Sequence, residues 1–211
     1  MKIISHRGLW KEPSEENSLE AFASSQAAGF GLETDLRSFQ GELYLSHDAI
    51  TQPNRCVRFE QLIQLWKKTP HLPLFLNIKE DGLLPMLNPW REQLLEWPVV
   101  FFDMSVPQLV QFSRIYPPSH LATRYSEYER NPSGIELCSW LWVDGFQLDP
   151  ELAALRNLKT KNQLNLALVS PELHSRDPVH FWNQLKLNGF SSDPSSVLCT
   201  DRSFDYLRTT Q

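Results

Sequence analysis

The sequence contains few cysteines, and their positions exclude two common kinds of site. Its 211 residues include Cys56, Cys138 and Cys199, which lie far apart and form no CxxC pair. An odd number of widely spaced cysteines is not a disulfide framework, and zinc sites usually contain paired cysteines. The pattern is typical of a protein from a reducing compartment, and we expect a cytoplasmic location.

Long apolar runs and an excess of positive charge are also missing. No run of 18 apolar residues is present, and the N-terminus lacks the basic and apolar regions of a signal peptide. We therefore expect no membrane span and no secretion signal. The formal net charge of −5 argues against nucleic-acid binding, which needs a basic face. A small phosphate-containing substrate remains possible, because a bound metal ion can reverse the field inside one cleft. Nothing in the sequence indicates a protein partner.

Short apolar runs alternate along the chain with segments of helical periodicity. The predicted strands are 2–6, 32–37, 74–79, 99–104, 121–126, 142–148, 165–170 and 196–201. The predicted helices are 17–29, with Asn17 as its N-cap, and 59–67, 82–95, 106–116, 150–158 and 179–188. Eight strands that alternate with helices predict a parallel α/β fold, and eight is the number that closes a (β/α)8 TIM-type barrel. An open doubly wound sheet is the alternative. No change of composition marks a linker, so we predict one domain over residues 1–211.

Polar side chains occur at the ends of most of the predicted strands. In a barrel, the carboxyl ends of all strands surround one mouth, so these residues would converge there. They are His6, Asp35, Lys79, Asp103, Tyr125, Glu172 and Asp201. The barrel interpretation therefore predicts an active site at this end of the sheet.

The strongest local signal is the strand Glu33-Thr34-Asp35-Leu36-Arg37. Side chains alternate along a strand, so Glu33, Asp35 and Arg37 share one face at spacings of about 7 Å. Two carboxylates on an inner face need a compensating cation, and their oxygens suit Mg²⁺ or Ca²⁺. An edge strand with its charges in water explains the same triplet equally well.

Two histidines flank this strand in the sequence. His6 ends the first strand, and His47 follows the short alternating run that begins at Gly41. A single histidine of this kind is more often structural than catalytic. Two imidazoles beside a metal site, however, can serve as general base and general acid near neutral pH. Arg7 would bind an anionic oxygen. Together these groups predict hydrolysis of a phosphodiester, in which an attacking and a leaving oxygen both need proton transfer.

The ordered set of motifs resembles the glycerophosphodiester phosphodiesterase family. The matching pieces are His6-Arg7-Gly8, the run Glu16-Asn17-Ser18-Leu19-Glu20-Ala21-Phe22, Glu33-x-Asp35, and the segment from Gly41 to His47-Asp48. The resemblance implies a TIM-type barrel and a divalent metal (Mg²⁺ or Ca²⁺) bound partly by Glu33 and Asp35. It also implies acid–base roles for His6 and His47 and phosphate binding by Arg7. In this family a neighbouring substrate hydroxyl attacks phosphorus, and water then opens the cyclic phosphate.

The third strand departs from the family pattern, which is Glu-x-Lys. Here the run is Asn77-Ile78-Lys79, so the resemblance retains Lys79 as a phosphate ligand, and Asn77 replaces a metal-binding glutamate. An amide oxygen can bind Mg²⁺ or Ca²⁺ but brings no charge. Metal binding is then weaker, or another carboxylate replaces the glutamate, or catalysis is lost. We favour Glu172 as the replacement, with Asp103 as the alternative.

The expected function is therefore hydrolysis of a small, glycerophosphodiester-like substrate. A lyase that stops at the cyclic phosphate and a non-catalytic barrel that binds a phosphorylated ligand are the alternatives. A lipid substrate is less favoured, because no exposed apolar or basic membrane-facing segment stands out in the sequence.

Overall fold

A computed structural model of the chain describes residues 1–210. The strands are β1 Lys2–His6, β2 Gly31–Phe39, β3 Glu42–Leu45, β4 Val57–Arg58, β5 Leu74–Ile78, β6 Val99–Phe102, β7 Ala122–Tyr125, β8 Trp140–Val143, β9 Asn165–Val169 and β10 Ser196–Thr200. The α-helices are α1 Leu19–Ala27, α2 Phe59–Trp66, α3 Arg91–Glu96, α4 Val106–Phe112, α5 Leu152–Asn162, α6 Val179–Leu187 and α7 Ser203–Thr210.

Eight of the ten strands run parallel in one curled sheet. Their spatial order is β7-β8-β9-β10-β1-β2-β5-β6, and the short strands β3 and β4 extend β2 as an antiparallel hairpin. This order confirms the predicted α/β alternation. The two outer strands of the order approach each other through a single parallel bridge between Phe101 and Leu121. Within residues 1–210 no longer ladder joins β6 to β7, so full closure of the barrel stays a prediction.

The apolar core lies on both faces of the sheet. Leu32, Leu74 and Phe101 belong to a cluster between the strands and helices α1 to α4. Leu166 and Leu198 belong to a second cluster that packs against α5, α6 and α7. A third cluster fills the concave side of the sheet, with Ile4, Phe75, Phe102, Trp142 and Cys199 among its members. Strands that are buried on both faces need nearly continuous apolar sequence, which explains the short apolar runs.

Several element boundaries differ from the predictions, and four of the differences change the interpretation of the chain. Ser18, not Asn17, caps α1, because its Oγ accepts a hydrogen bond from Ala21 N at 3.1 Å. The predicted helix 82–95 is a 3-10 helix over Leu84–Trp90 followed by α3, since Pro85 and Pro89 interrupt α-helical hydrogen bonding. Strand β8 begins at Trp140 and ends before Asp144, and α7 was not predicted.

Residues 1–210 contain no helix with the length and apolar composition that a bilayer crossing requires.

Asp193 connects α5 to the start of β10 through an ion pair and hydrogen bonds. We expect these contacts to make the stability of the fold depend on pH. Its carboxylate pairs with Lys159 and accepts hydrogen bonds from Ser195 N at 3.0 Å, Ser195 Oγ at 2.8 Å and Ser196 Oγ at 2.7 Å. Burial alone would raise the pKa of Asp193, but Lys159 and the serine donors outweigh it and hold the pKa well below its usual range. The ionised carboxylate therefore stabilises the fold above the unfolded-state pKa, and this contribution falls as the pH drops below about 4.

The variant Asp193→Asn should lower the free energy of unfolding by about 1–3 kcal/mol at pH 7. The difference from wild type should shrink at pH 3, as urea unfolding at the two pH values would measure. Glu20→Gln, which changes an exposed carboxylate on α1, is the matched control. A deficit of equal size at both pH values would contradict the ionic origin of the effect.

Candidate active site

A cleft of about 470 Å³ lies over the carboxyl ends of the parallel strands. Seven residues selected from the sequence line this cleft together: His6, Arg7, Glu33, Asp35, His47, Asn77 and Lys79. They come from β1, β2, β5 and the loop after β3, so the folded sheet brings together residues that are up to 73 positions apart. Other lining residues, including Asp201, Arg124, Asp144 and His174, come from the remaining strands.

His6 lies at the end of β1, in register with Glu33 on β2. Its Nδ1 donates a hydrogen bond to Asp201 Oδ1 at 2.8 Å, since a carboxylate can only accept. This contact directs Nε2 towards Glu33, whose Oε2 lies 4.0 Å away. Burial lowers the pKa of His6, but the hydrogen bond to Asp201 and the charges of Glu33 and Asp201 outweigh it, and the net pKa is raised.

The chain turns sharply after His6 to clear the mouth of the cleft. Arg7 has a left-handed backbone with φ 52°, and Gly8 follows with φ 97°. A side chain at Gly8 would place its Cβ 2.6 Å from the Cβ of Ala21, so this position requires glycine. The turn therefore brings α1 directly against the loop that carries Arg7.

Glu33 and Asp35 are buried, which excludes an edge strand with its charges in water. Their exposed fractions are 2% and 1%. Burial and the neighbouring charge of Asp35 raise the pKa of Glu33 to about 7. Two adjacent buried carboxylates on one face need positive charge close by.

Several donors surround Asp35. The Arg7 Nε lies 3.1 Å from Asp35 Oδ2, and the Lys79 Nζ lies 3.6 Å from Asp35 Oδ1. The Asn17 amide donates a hydrogen bond to Asp35 Oδ2 at 3.2 Å. Arg7 also pairs with Glu16, with 2.7 Å between Nη1 and Oε2. Arg7 and Lys79 therefore place positive charge beside the buried Asp35 carboxylate.

The surroundings of Asn77 show whether the residues of this site could bind a divalent metal ion. It is in register with Asp35 on the adjacent strand, and its Oδ1 is buried without a hydrogen-bond donor among residues 1–210. A buried acceptor oxygen beside two buried carboxylates suits a hard divalent cation. Glu33, Asp35 and Asn77 therefore fit Mg²⁺ or Ca²⁺. Residues 1–210 contain no cluster of three or more His, Cys, Asp or Glu side chains arranged to hold a metal.

The overall charge of the cleft also favours a bound cation. Six carboxylates line it, and only three permanent cations, Arg7, Lys79 and Arg124, oppose them. The carboxylates are Glu16, Glu33, Asp35, Asp103, Asp144 and Asp201. An anionic phosphodiester would be repelled by this excess unless a divalent cation offset it.

His47 lines the same cleft as His6 and is more exposed, with 47% of its side chain accessible against 16% for His6. Its Nδ1 donates to Asp48 Oδ1 at 2.8 Å. The guanidinium of Arg37 fixes the loop by donating two hydrogen bonds to the His47 carbonyl, at 3.0 and 2.9 Å. Arg37 thus holds the backbone of His47, while Asp48 contacts its imidazole.

Glu172 and Asp103 lie in different surroundings from Glu33, Asp35 and Asn77. Glu172 is not among the residues that line the cleft; its carboxylate accepts hydrogen bonds from Ser170, Thr200 and the Asp201 amide. It thereby supports the residue that orients His6, and its role as a metal ligand stays a prediction. Asp103 lines the cleft, where it pairs with Arg124.

Sequence reasoning missed several residues of this cleft. Asn17 was assigned to a helix cap, yet its amide connects Asp35 with Thr34, whose Oγ1 donates to Asn17 Oδ1 at 2.6 Å. The sequence predicts Asp201 only as a polar residue at a strand end. That position is the only sign in the sequence that Asp201 belongs to the cleft. The pairing of Asp144 with His174 joins the ends of β8 and β9, and no spacing in the sequence marks it.

Replacing Asp201 should change the titration of His6. Asp201→Asn removes the negative charge and the hydrogen bond that raise the pKa of His6, so that pKa should fall relative to wild type. NMR titration of the imidazole resonances in metal-free protein would measure it, with the exposed His180 as an internal reference. An unchanged titration of His6 would mean that Asp201 does not govern its protonation.

The fold is similar to that of solved phosphodiesterase structures. A glycerophosphodiester phosphodiesterase from Agrobacterium tumefaciens str. C58 aligns with a TM-score of 0.63 over 96% of this chain and 97% of that chain, at 12% identity. A glycerophosphoryl diester phosphodiesterase from Parabacteroides distasonis ATCC 8503 aligns with a TM-score of 0.58 over 99% of this chain and 85% of that chain, at 15% identity. No protein-family model and no curated protein sequence matches the chain. The family resemblance is thus confirmed for the fold: the chain folds like a glycerophosphodiester phosphodiesterase.

Proposed function

We propose that the protein is a metal-dependent phosphodiesterase that hydrolyses a small glycerophosphodiester-like substrate. The observation that carries this proposal is the placement of His6 and His47 in one cleft with the buried pair Glu33 and Asp35. Each imidazole has an aspartate on Nδ1, so each keeps Nε2 for proton transfer. This combination supplies a base, an acid and a cation site within one cavity.

The phosphate would bind between the carboxylates and the two cationic side chains. Arg7 and Lys79 both approach Asp35 and can turn their donors to the phosphoryl oxygens. Glu33, Asp35 and Asn77 would hold the divalent metal, whose positive charge would polarise the phosphoryl group and offset the charge that develops on it. Glu172 stays a second possible ligand, provided that it releases Thr200 and Asp201.

The two histidines would transfer protons while the substrate hydroxyl displaces the alcohol from phosphorus. One imidazole accepts the proton of a substrate hydroxyl adjacent to the phosphodiester, and that oxygen attacks phosphorus. The bond from phosphorus to the departing alcohol breaks, and the other imidazole donates a proton to the alcohol oxygen. A water molecule then opens the cyclic phosphate, with the two imidazoles exchanging roles. Product release regenerates the starting protonation state.

Removing either imidazole should abolish turnover. We expect His6→Ala and His47→Ala to lower kcat by about 10²–10⁴-fold, the usual contribution of a positioned acid or base. Release of alcohol from glycerophosphodiesters in the presence of Mg²⁺ or Ca²⁺ would measure the effect, and His180→Ala on α6 is the matched control.

Near-wild-type rates in both variants would overturn the acid–base assignment. Phosphorus NMR of the wild-type products distinguishes the lyase alternative, in which the cyclic phosphate accumulates. A protein that binds phosphate esters and releases no alcohol under any metal condition is the non-catalytic alternative.

Metal binding should be visible without turnover. At a metal concentration 100 times Kd, binding adds about 2.7 kcal/mol of stability, which corresponds to a rise in Tm of roughly 5–10 °C for a chain of this size. Glu33→Gln should lose most of this rise, because it removes one charged ligand.

Asn77→Glu should show a larger rise in Tm at the same metal concentration, because it adds a third charged oxygen. Glu20→Gln, on the exposed side of α1, should respond like wild type. An undiminished rise in Glu33→Gln would place the metal elsewhere.

A further inference from the structure

His47 lies on the loop after β3, outside the strands of the sheet. The hairpin ends where Ser46 N donates a hydrogen bond to the Asp35 carbonyl at 3.0 Å. The His47 imidazole pairs with Asp48, but 92% of the Asp48 side chain is exposed, so this pair does not connect the loop to the rest of the fold. The position of His47 therefore depends on contacts from outside the loop.

We propose that Glu80 is a positioning residue for His47 and acts through Arg37. The Glu80 carboxylate orients the Arg37 guanidinium, and the guanidinium holds the His47 carbonyl. Among residues 1–210, the side chains that line the cleft include neither Glu80 nor Arg37, so neither would touch the substrate. The inference rests on the proposed function, since that proposal assigns proton transfer to His47.

Arg37 binds the His47 carbonyl oxygen through two donors. Its Nε and Nη2 donate to that oxygen at 3.0 and 2.9 Å. Two donors of one rigid, planar group fix the direction of the carbonyl as well as its distance, which a lysine ammonium would not do. Arg37 lies two residues after Asp35 on β2, so both side chains leave the same face of the strand. The contact therefore relates the position of His47 to the strand that carries the buried carboxylates.

Glu80 binds the remaining side of the same guanidinium. Its Oε2 lies 3.5 Å from Arg37 Nη1, and its Oε1 accepts hydrogen bonds from Ser38 N at 2.8 Å and from the Ser38 hydroxyl. Lys79 N donates to the Leu36 carbonyl at 3.2 Å at the end of the β2–β5 ladder, and Ser38 N is the next donor of β2 towards β5. The Glu80 carboxylate therefore takes the place of a backbone carbonyl where the ladder stops.

The loop that carries Glu80 is itself anchored to α4. The Ser105 hydroxyl lies 2.9 and 2.8 Å from the two carboxylate oxygens of Asp81, and Gly82 N donates to Gln108 Oε1 at 2.7 Å. Ser105 caps α4, and Gln108 lies in its first turn. Glu80 is thus held by the sheet on one side and by a helix on the other, which makes it a fixed point for the guanidinium.

The contact between Glu80 and Arg37 acts on geometry more than on stability. The two side chains are partly exposed, at 33% and 20%, and an exposed ion pair contributes little to the free energy of unfolding. A displacement of about 1 Å in a catalytic group, however, can cost about 100-fold in rate. Lys79 precedes Glu80 and lies 3.6 Å from Asp35, so one segment carries a proposed phosphate ligand and the carboxylate that orients Arg37.

Single and double variants test the inference through kcat and KM for glycerophosphocholine with Mg²⁺ or Ca²⁺. Glu80→Gln keeps an amide oxygen for Ser38 N but turns an NH2 group towards Arg37, so the guanidinium loses its acceptor. We expect kcat to fall by about 10-fold, with KM changed by less than about 2-fold. Arg37→Met should lower kcat by about 100-fold. Adding Glu80→Gln to Arg37→Met should lower kcat by less than about 2-fold more, because the group through which Glu80 acts is already absent.

The matched controls are Glu42→Gln and Arg58→Met. They change another carboxylate–arginine pair next to β2, 3.0 Å apart and about half exposed, and should leave kcat and KM at wild-type values. A further loss of about 10-fold in the double variant would show that Glu80 acts independently of Arg37 and would overturn the inference. An unchanged kcat in Glu80→Gln, with or without a higher KM, would overturn it as well.

A measurement on metal-free protein separates the positioning from the reaction. The backbone ¹⁵N order parameter of His47 should fall from about 0.85 towards about 0.6 in Glu80→Gln and in Arg37→Met, and stay at the wild-type value in Glu42→Gln. This fall, without hydrolysis of any diester by the wild type, would support the positioning and refute the proposed function. Hydrolysis by the wild type with equal order parameters in all variants would refute the positioning and leave the proposed function standing.

Discussion

Two carboxylates buried next to each other on β2 determine the arrangement of the cleft around them. Glu33 and Asp35 face the same side of the strand at 2% and 1% exposure, and mutual repulsion adds to the cost of removing each charge from water. Positively charged or protonatable side chains offset part of this cost: Arg7 and Lys79 lie beside Asp35, and His6 lies near Glu33. Even so, burial and Asp35 raise the pKa of Glu33 to about 7, so the compensation is incomplete. The remaining deficit of positive charge is the physical basis for the cation site proposed above, and Asn77 Oδ1 is a buried oxygen that lacks a hydrogen-bond partner there.

Three of the six non-glycine residues with positive φ among residues 1–210 line the cleft or contact Asp35. Arg7, Asn17 and Asp103 all have positive φ, at 52°, 56° and 64°, although none is glycine. Arg7 and Asp103 line the cleft just after β1 and β6, and Asn17, just before α1, donates a hydrogen bond to Asp35. Left-handed residues of this kind cost free energy and persist where the surrounding contacts fix them. Here the hydrogen bond from Asn17 N to the Arg7 carbonyl joins two of the three.

Much of the fold and half of the site could be predicted from the sequence for a simple physical reason. Strands buried on both faces need continuous apolar runs, and loops at their carboxyl ends carry polar residues, so both leave local signals. The pairs His6–Asp201, Asp144–His174 and Asn17–Asp35 leave none, because each joins residues that only the folded sheet brings together. Asn17 shows the limit most clearly: its residue type suits a helix cap, but Ser18 takes that role and Asn17 turns to Asp35. Local propensity could not choose between these two neighbours, since the deciding contact is with another strand.

The cleft is therefore asymmetric, and the asymmetry follows the order of the strands. β1, β2 and β5 bring unbalanced carboxylates and two cations to one side, where charge can develop and be offset. β6 to β9 bring the pairs Arg124–Asp103 and His174–Asp144 and the stacked ring of Trp142 to the other side. The reaction proposed above, which moves charge on phosphorus, fits the first environment. Because Asp103 and Asp144 already hold Arg124 and His174, the second side cannot bind a metal without losing its own pairs.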